Sequence, residues 1–302
     1  MSPIPIARSG NGTGLLFAVL GAVGFSFKAI LVKLAYQYRV DAETLLALRM
    51  GLSLPFFVVM GVVADRRARH RLEGRDWLWM GGLGFCGYYL ASYLDFLGLR
   101  YITAALERLI LFLYPTLVIV LSALFLGKPI GRRAMMALGL CYLGIGLAVG
   151  HDLHIAGEAA DVLLGFALVF GSALSYALYL MGNGEVVGRL GSMRVTAFAT
   201  MIACVLCIGQ FVILRPLSAL DLPWQVYALG LAMALFSTVA PVWLVSEAIS
   251  RLGAGPVSLT GTLGPVITIF LGWLLLDETI GGGQVAGAAL VIVGVLVMAR
   301  RK

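Results

Sequence analysis

Six charged side chains lie inside long apolar stretches in the first half of this 302-residue chain. They are Lys28, Lys33, Arg49, Asp95, Glu107 and Arg108. If these stretches cross a bilayer, a charge near its centre costs about 2.5–3.5 kcal/mol, so each of them needs a reason to be there. Four bases against two acids could bind the carboxylate of a small molecule, with Lys28 and Arg108 as candidate ligands. Asp95 or Glu107 could exchange protons during such a cycle.

The alternative for these charges is a structural role. Glu107 could pair with a neighbouring base, which would neutralise both groups inside the membrane. Long side chains near helix ends can also extend to the interface, and such snorkelling would account for Lys33, Arg49 and Asp95. Lys28 is the deepest of the six along its stretch, and both interpretations stay open for it.

Aromatic residues at helical spacing form a second candidate site. Phe85, Tyr89, Tyr93 and Phe96 recur at i, i+4, i+8 and i+11. Later in the chain, Phe236, Ala240, Trp243 and Glu247 recur at i, i+4, i+7 and i+11, which also places them on one helix face. Tyr93 and Trp243 are also 150 residues apart, a spacing that recurs below. Tyrosine and tryptophan give a cavity an apolar wall with polar tips, so we expect these two residues, with Tyr89 and Phe236, to contact substrate. The alternative is a lipid-facing or interfacial position.

Two prolines interrupt long apolar stretches at equivalent places. Pro115 and Pro265 each remove a helical hydrogen bond, which predicts a kink or a gating hinge in both stretches. Static kinks are the alternative. The residues beside the second proline, Gly261, Thr262 and Gly264, would let backbone or the Thr262 hydroxyl approach a ligand.

The chain offers little for catalysis or metal binding. Cys204 and Cys207 have redox spacing but no second pair and no polar surroundings, and His70, His151 and His154 fall in predicted connecting loops. A nucleophile–base–metal cluster within the apolar stretches is therefore not expected, so we predict a protein that is not an enzyme and that uses no cofactor and no metal.

The composition predicts a polytopic membrane protein. Mean hydropathy is +0.98, with 61% apolar and only 12% charged residues, whereas about a quarter of the residues of soluble domains are charged. Apolar stretches long enough to span a bilayer, which takes about 20 residues, number ten. We predict an all-α fold with helices at 14–36, 43–63, 77–98, 102–126, 132–149, 162–182, 192–214, 224–247, 255–276 and 282–299.

The second half of the chain repeats the first at an offset of 150 residues without gaps. Pro115 matches Pro265, Leu121 matches Leu271 and Gly144 matches Gly294, among other identities. We predict two five-helix repeats, residues 1–150 and 151–302. Duplicated hydrophobic halves are typical of secondary transporters, whose substrate site lies where the repeats meet.

Basic residues in the loops predict the orientation. One side would hold fifteen lysines and arginines: Arg8, Arg66, Arg67, Arg69, Arg71, Arg75, Lys128, Arg132, Arg133, Arg189, Arg194, Arg251, Arg300, Arg301 and Lys302. The other side would hold three, Arg39, Arg100 and Arg215. Both termini are therefore predicted to be cytoplasmic, and the net charge of +7 needs no nucleic-acid partner. Because each repeat has an odd number of helices, the second repeat is inverted.

These features resemble the drug/metabolite transporter superfamily, in particular its EamA-type ten-helix members. The resemblance is carried by the repeat-related segments Leu113-Tyr114-Pro115 and Leu263-Gly264-Pro265 and the Gly-rich helices that follow. Gly127-Lys128 departs from the acidic turn usual in the family, while Asp277-Glu278 keeps it. Tyr101–Pro115 is similar to the YddG-type exporters of aromatic and other amino acids.

This resemblance implies export of amino acids across a bacterial inner membrane by alternating access, either as a facilitator or coupled to protons. The expected partners are the lipid bilayer and a small-molecule substrate, and the sequence indicates no oligomeric state. Three alternatives stay open: an exporter of other metabolites or drugs with the same fold, a membrane-embedded enzyme, and a channel.

Overall fold

A computed structural model of the chain describes residues 11–68, 71–127, 129–155, 158–252, 257 and 260–299. Every regular element over these residues is helical. The α-helices are α1 (Asn11–Tyr36), α2 (Ala42–Arg66), α3 (Gly74–Gly84), α4 (Ala91–Gly98), α5 (Ala104–Leu111), α6 (Tyr114–Leu126), α7 (Arg132–Ile155), α8 (Ala159–Leu190), α9 (Ser192–Leu214), α10 (Trp224–Ala234), α11 (Ala240–Leu252), α12 (Leu263–Leu276) and α13 (Gly282–Ala299). A π-helical turn, Phe85–Leu90, joins α3 to α4, and another, Leu235–Val239, joins α10 to α11. A 3₁₀ turn covers Leu217–Leu220.

Seven helical segments are long and apolar enough to cross a membrane, which confirms a polytopic, all-helical membrane protein. They are Gly12–Tyr36, Ala42–Arg66, Ala104–Phe125, Arg132–His154, Ala159–Leu190, Ser192–Leu214 and Trp224–Ile249. Leu263–Leu276 and Gly282–Val297 are apolar but shorter. A count of ten spans stays a prediction.

Side-chain caps set several helix boundaries. Asp41 precedes α2, and its carboxylate accepts hydrogen bonds from the Thr44 N–H at 2.9 Å and the Thr44 hydroxyl at 2.8 Å. Partial burial alone would raise the pKa of Asp41, but these hydrogen bonds and the nearby Arg215 hold it below its ordinary value. Thr103 begins α5 in the same way, because its hydroxyl accepts from the Leu106 N–H at 3.1 Å.

Two predicted loops are helical instead. Helix α8 continues past the predicted end at residue 182 to Leu190, because its last turns pack on Met80 and Arg189 forms an ion pair with Asp76. Tertiary contacts therefore override the low helix propensity of glycine in this segment. Helix α7 likewise includes His151 and His154, which the sequence had placed in a loop. The Asp152 carboxylate anchors that last part of α7 by accepting the Thr103 N–H at 3.0 Å.

The last helix of each repeat packs against its counterpart in antiparallel fashion. A Cβ on Gly144 would lie 2.6 Å from the Gly287 carbonyl oxygen, and a Cβ on Gly287 would lie 2.4 Å from the Gly144 carbonyl oxygen. Cys141 contacts the Val291 carbonyl at 3.7 Å, and the pair is separated by the repeat offset. Because residue numbers rise along α7 as they fall along α13, a two-fold axis crosses the helices near Cys141. Small residues at this crossing let the two backbones touch.

The rest of the bundle follows the same two-fold pattern. Helix α2 packs on α9, its repeat counterpart, while α1 packs on α11 in the way that α8 packs on α4. The two π-helical turns begin at Phe85 and Leu235, again 150 residues apart. Each repeat therefore contributes elements to a shared interior.

Ion pairs define the two ends of the bundle. Asp65 pairs with Arg194, and Asp76 with Arg189, at what we call the arginine-rich end. Arg215 pairs with Asp41 and Glu43 at the opposite end. Of the basic residues predicted to be cytoplasmic, Arg8, Arg69, Lys128, Arg300, Arg301 and Lys302 lie outside the described residues, as does His70.

The α7–α13 crossing provides a test of this packing. Gly144→Ala should lower the midpoint of thermal unfolding in detergent, because the new methyl group would meet the Gly287 backbone and overpacking costs about 1–3 kcal/mol. Gly146→Ala is the control, since nothing lies within 4 Å of a Cβ there. That variant should be neutral or slightly stabilising, because alanine is the better helix former. Equal effects of the two substitutions would contradict the close crossing.

Candidate functional site

A cavity of about 590 Å³ lies inside the bundle, and both repeats line it. Residues of α1, α2, the first π-helical turn, α4, α5 and α6 contribute from the first repeat, and residues of α8, α9 and α11 from the second. Ala18 and Ile249 mark its extent towards the arginine-rich end, whereas Lys28 and Asp95 lie at the other extreme. Ala18 and Lys28 are ten residues apart on α1, which is about 15 Å along a helix.

A second concavity, of about 350 Å³, has a mostly apolar lining. It lies between α3 and α8 and is bounded by apolar side chains such as Leu78, Trp79 and Leu178, which are exposed on the outside of the bundle. Pockets that bind small molecules combine an apolar wall with a few convergent polar groups. The larger cavity has both.

Three of the charged residues singled out in the sequence meet at one end of the larger cavity. The Lys28 ammonium lies 2.5 Å from an Asp95 carboxylate oxygen and 2.9 Å from a Glu107 carboxylate oxygen. Asp95 is 2% exposed and Glu107 is fully buried, so Lys28 is a cation shared by two buried acids. This geometry matches the structural ion pairing that was the alternative for Glu107. The expectation that Asp95 extends to the membrane interface is wrong, because Asp95 is buried in the bundle. Proton exchange by either carboxyl group stays a prediction.

Arg49 is inside the bundle, so the expectation that it snorkels to the interface is wrong. It is 7% exposed and lines the cavity. Its Nε donates to the Thr238 hydroxyl at 3.0 Å, and its guanidinium lies 5.4 Å from the centre of the Phe96 ring. Depth along a helix is readable from sequence, but the direction of a side chain depends on how neighbouring helices pack.

Arg108 also lines the cavity, as a member of α5 next to Glu107. Its guanidinium lies against Gly264, where a Cβ would come within 2.7 Å of Nη2. Glycine at this position therefore gives the arginine its space. The Gly264 carbonyl in turn accepts a 3.3 Å hydrogen bond from Ser26.

Lys33 lies farther along α1, where it helps to close this end of the bundle. Its ammonium is 3.4 Å from a Glu278 carboxylate oxygen, and the same oxygen accepts the Ala104 N–H at 2.8 Å. A hydrogen bond of 2.6 Å from the Tyr36 hydroxyl to the Phe96 carbonyl adds to the closure. These contacts tie α1, α4, α5 and the end of α12 together beyond the charged cluster.

Tyrosines form one wall of the cavity, but they are different from those chosen on helical spacing. Tyr88, Tyr114 and Tyr176 line it. The rings of Tyr114 and Tyr176 are 5.5 Å apart edge to face, and the hydroxyl groups of Tyr88 and Tyr179 are 3.0 Å apart. Tyr88 lies within the first π-helical turn, where the extra residue per turn shifts the face that an α-helical period assigns. Sequence spacing did not single out Tyr176. Its position does correspond to Ser26 at the 150-residue offset, and Ser26 lies two residues before Lys28 on α1.

The aromatic residues chosen on helical spacing lie outside this cavity lining. Tyr89 stacks on Tyr93 at 6.4 Å, and the Tyr93 hydroxyl donates to Glu43 at 3.0 Å. Phe236 is 65% exposed and Trp243 is 55% exposed. Trp243 packs on Phe17, with ring centres 5.9 Å apart. These positions agree better with the lipid-facing alternative for Phe236 and Trp243.

The prolines lie where the helices bordering the cavity restart. Pro115 is the second residue of α6, directly after the break between α5 and α6, and Pro265 is the third residue of α12. Thr262 immediately precedes α12 and follows the cavity-lining Gly261. The predicted interruption at Pro115 is therefore present, whereas a hinge function for either proline stays a prediction.

The known proteins that this chain resembles are transporters. The EamA-like transporter family model matches twice, over residues 12–150 and 163–300. The uncharacterized transporter YcbK of Bacillus subtilis is 29% identical over 96% of this chain and 93% of its own length. The pseudopaline exporter CntI of Pseudomonas aeruginosa is 28% identical over 96% of this chain and 97% of its own length.

Further comparisons agree with these matches. The threonine/homoserine exporter RhtA of Salmonella typhimurium is 26% identical over 84% of this chain and 80% of its own length. A crystal structure with 17% sequence identity superposes with a TM-score of 0.63 and covers 97% of this chain and 100% of its own, which shows the fold alone. Because the family model matches both repeats and so nearly the whole chain, the protein belongs to the EamA-like transporter family of the drug/metabolite transporter superfamily.

Proposed function

We propose that the protein exports amino acids, including aromatic ones, across the bacterial inner membrane by alternating access, with both termini in the cytoplasm. The observation that carries this proposal is the cavity between the repeats, which combines a cationic end with a tyrosine wall. An amino acid has matching parts, a carboxylate and a side chain of variable size. Specificity would be broad because the wall is large and uses few directed polar groups.

Two relatives support export of small molecules. The names of the Salmonella and Pseudomonas proteins describe a threonine/homoserine exporter and a pseudopaline exporter. The first is an amino acid exporter, so the substrate class agrees with the cavity chemistry. The concentration of arginines at one end of the bundle supports a cytoplasmic position for that end.

The direction of the cavity supports a state that loads from the cytoplasm. Its lining runs from the Lys28 cluster towards the arginine-rich end, whereas Glu278 and Tyr36 tie the helices together beyond the cluster. Alternating access requires this closure to open on the far side. Because the repeats pack about a two-fold axis, a related rearrangement can close the cytoplasmic side, with Pro115 and Pro265 as the proposed hinges.

The substrate claim is tested by counterflow in proteoliposomes. Vesicles are loaded with unlabelled phenylalanine, methionine, leucine, threonine or a cationic drug, and entry of labelled phenylalanine is followed. Internal amino acids should each produce transient accumulation above that in empty vesicles, because they exchange through one cavity. The cationic drug should not, since the cavity end is basic. No stimulation by any of the four amino acids would contradict the proposal.

The tyrosine wall is tested by Tyr176→Ala. This variant should raise the KM for phenylalanine about tenfold, because an aromatic pair contributes about 0.5–1.5 kcal/mol beyond apolar burial and 1.4 kcal/mol corresponds to a factor of ten. The KM for alanine should change much less. Tyr142→Ala is the matched control, since Tyr142 is 41% exposed and lies on α7 outside the cavity lining. Equal KM values for phenylalanine in both variants would argue against a tyrosine wall.

The closure at Glu278 is tested by side-specific labelling. In a cysteine-free background, Ser92→Cys places a thiol in the cavity lining, and an impermeant maleimide is added from either side. Glu278→Ala removes the acceptor for Ala104 and Lys33, so labelling from the side opposite the arginine-rich end should increase several-fold. Hydrogen bonds to charged groups contribute about 1.5–3 kcal/mol, which is enough to shift a two-state equilibrium tenfold. Asp221→Asn, an exposed carboxylate, is the control. Unchanged labelling in Glu278→Ala would contradict a gating role.

A further inference from the structure

We propose that Arg49, supported by Arg108, binds the carboxylate of the transported molecule, and that Lys28 does not. This inference rests on the proposed export of amino acids and identifies the anion-binding residue of that site. A general consequence is that cargo must carry a carboxylate, whereas an amine without one is a poor ligand.

Arg49 carries a buried positive charge on a guanidinium that the described residues satisfy only in part. It is 93% buried, and its Nη1 has no hydrogen-bond partner among the described residues. It also forms no ion pair with a carboxylate there. A guanidinium stays protonated in proteins, so it cannot escape this cost by losing its proton. An anion that enters the cavity is the partner that removes the penalty.

The surroundings of Arg49 fix the guanidinium so that one edge is left for a ligand. Nε donates to the hydroxyl of Thr238 in the second π-helical turn, and that hydroxyl donates to the carbonyl of Met233 in α10 at 2.9 Å. The centre of the Phe96 ring lies 5.4 Å from the Arg49 Cζ atom, so the ring packs against the guanidinium. With Nε occupied, the edge formed by the two Nη atoms remains, and this edge matches the two oxygens of a carboxylate.

The Lys28 ammonium is already paired and is therefore not available to a substrate carboxylate. It contacts Asp95 and Glu107, at 2.5 Å and 2.9 Å. Replacing either carboxylate by a substrate carboxylate would leave a buried acid unpaired, so exchange offers no net gain. Lys28 is therefore a positioning residue that pairs with both acids of the cluster.

The charge count of the cluster agrees with one bound anion. Lys28, Arg49 and Arg108 contribute three positive charges and Asp95 and Glu107 two negative ones, which leaves a net charge of +1. Arg108 borders the same cavity, and its Nε also lacks a hydrogen-bond partner among the described residues. One carboxylate brings this end of the cavity to neutrality.

Ligand-induced stabilisation of the purified protein tests the inference without requiring transport. Unfolding midpoints are measured in detergent with phenylalanine, with 3-phenylpropionate, which lacks the ammonium, and with phenethylamine, which lacks the carboxylate. The first two ligands should raise the midpoint of the wild-type protein, and phenethylamine should not. A wild-type protein stabilised equally by all three would overturn the inference.

Substitutions then assign the effect to a residue. Arg49→Gln should abolish stabilisation by both carboxylates and raise the KM for phenylalanine at least tenfold with little change in kcat. Arg49→Lys should recover part of the stabilisation by carboxylates, because lysine keeps the positive charge but lacks the two parallel N–H donors of the guanidinium. Thr238→Val removes only the acceptor for Nε and should weaken binding by a smaller factor. Arg100→Gln, which changes an exposed arginine, is the matched control.

The outcomes separate this inference from the proposed function. Counterflow of phenylalanine with normal carboxylate binding in a folded Arg49→Gln protein would overturn the role of Arg49 and leave amino acid export standing. Arg49-dependent stabilisation by carboxylates without any amino acid counterflow would support the anion site and overturn amino acid export. If Arg49→Gln does not fold, an unaltered response of Arg49→Lys and Thr238→Val to carboxylates would overturn the inference.

Discussion

The structure depends on the cost of placing charge inside an apolar bundle. Every ionic group there must be paired, hydrogen bonded or matched by something that enters from outside. Lys28, Asp95 and Glu107 satisfy this requirement among themselves. Among the described residues, Arg49 and Arg108 each keep a buried nitrogen without a hydrogen-bond partner, and both face the same cavity. These two guanidinium nitrogens therefore lie where a substrate can bind.

The repeat architecture explains why this arrangement lies between two halves of the molecule. Helices α7 and α13 cross with their glycines in contact, and α2 packs on α9, so repeat-related helices hold the halves together at two places. Helices of both repeats surround the cavity, with charges supplied by the first repeat and much of the apolar wall by the second. Since the second repeat lacks counterparts for the charges, the site is asymmetric although the frame is nearly symmetric. Such an asymmetric site can bind an oriented molecule within a frame able to open at either end.

Much of the frame was readable from the sequence, because apolar length and the 150-residue offset report directly on helices and their duplication. The structural alternative for Glu107, pairing with a neighbouring base, matches its contact with Lys28. The direction of Arg49 was not readable, since its burial depends on Thr238 and Phe96, which lie far away in sequence. Tyr88, one of the three wall tyrosines, was missed for a local reason. The π-helical turn at Phe85–Leu90 changes the helical period, so the face containing Tyr89 and Tyr93 was chosen in place of that containing Tyr88.

The central claim is that an amino acid binds with its carboxylate at the cationic end and its side chain along the tyrosines. An experimental structure of the protein with 4-iodophenylalanine tests this most directly, since iodine can be located by anomalous scattering. The account predicts the carboxylate within hydrogen-bond distance of the Arg49 Nη atoms and the iodine in contact with the cavity-facing side of Tyr114 or Tyr176. Ligand density at Trp243, or in the second concavity between α3 and α8, with the larger cavity empty would contradict the account.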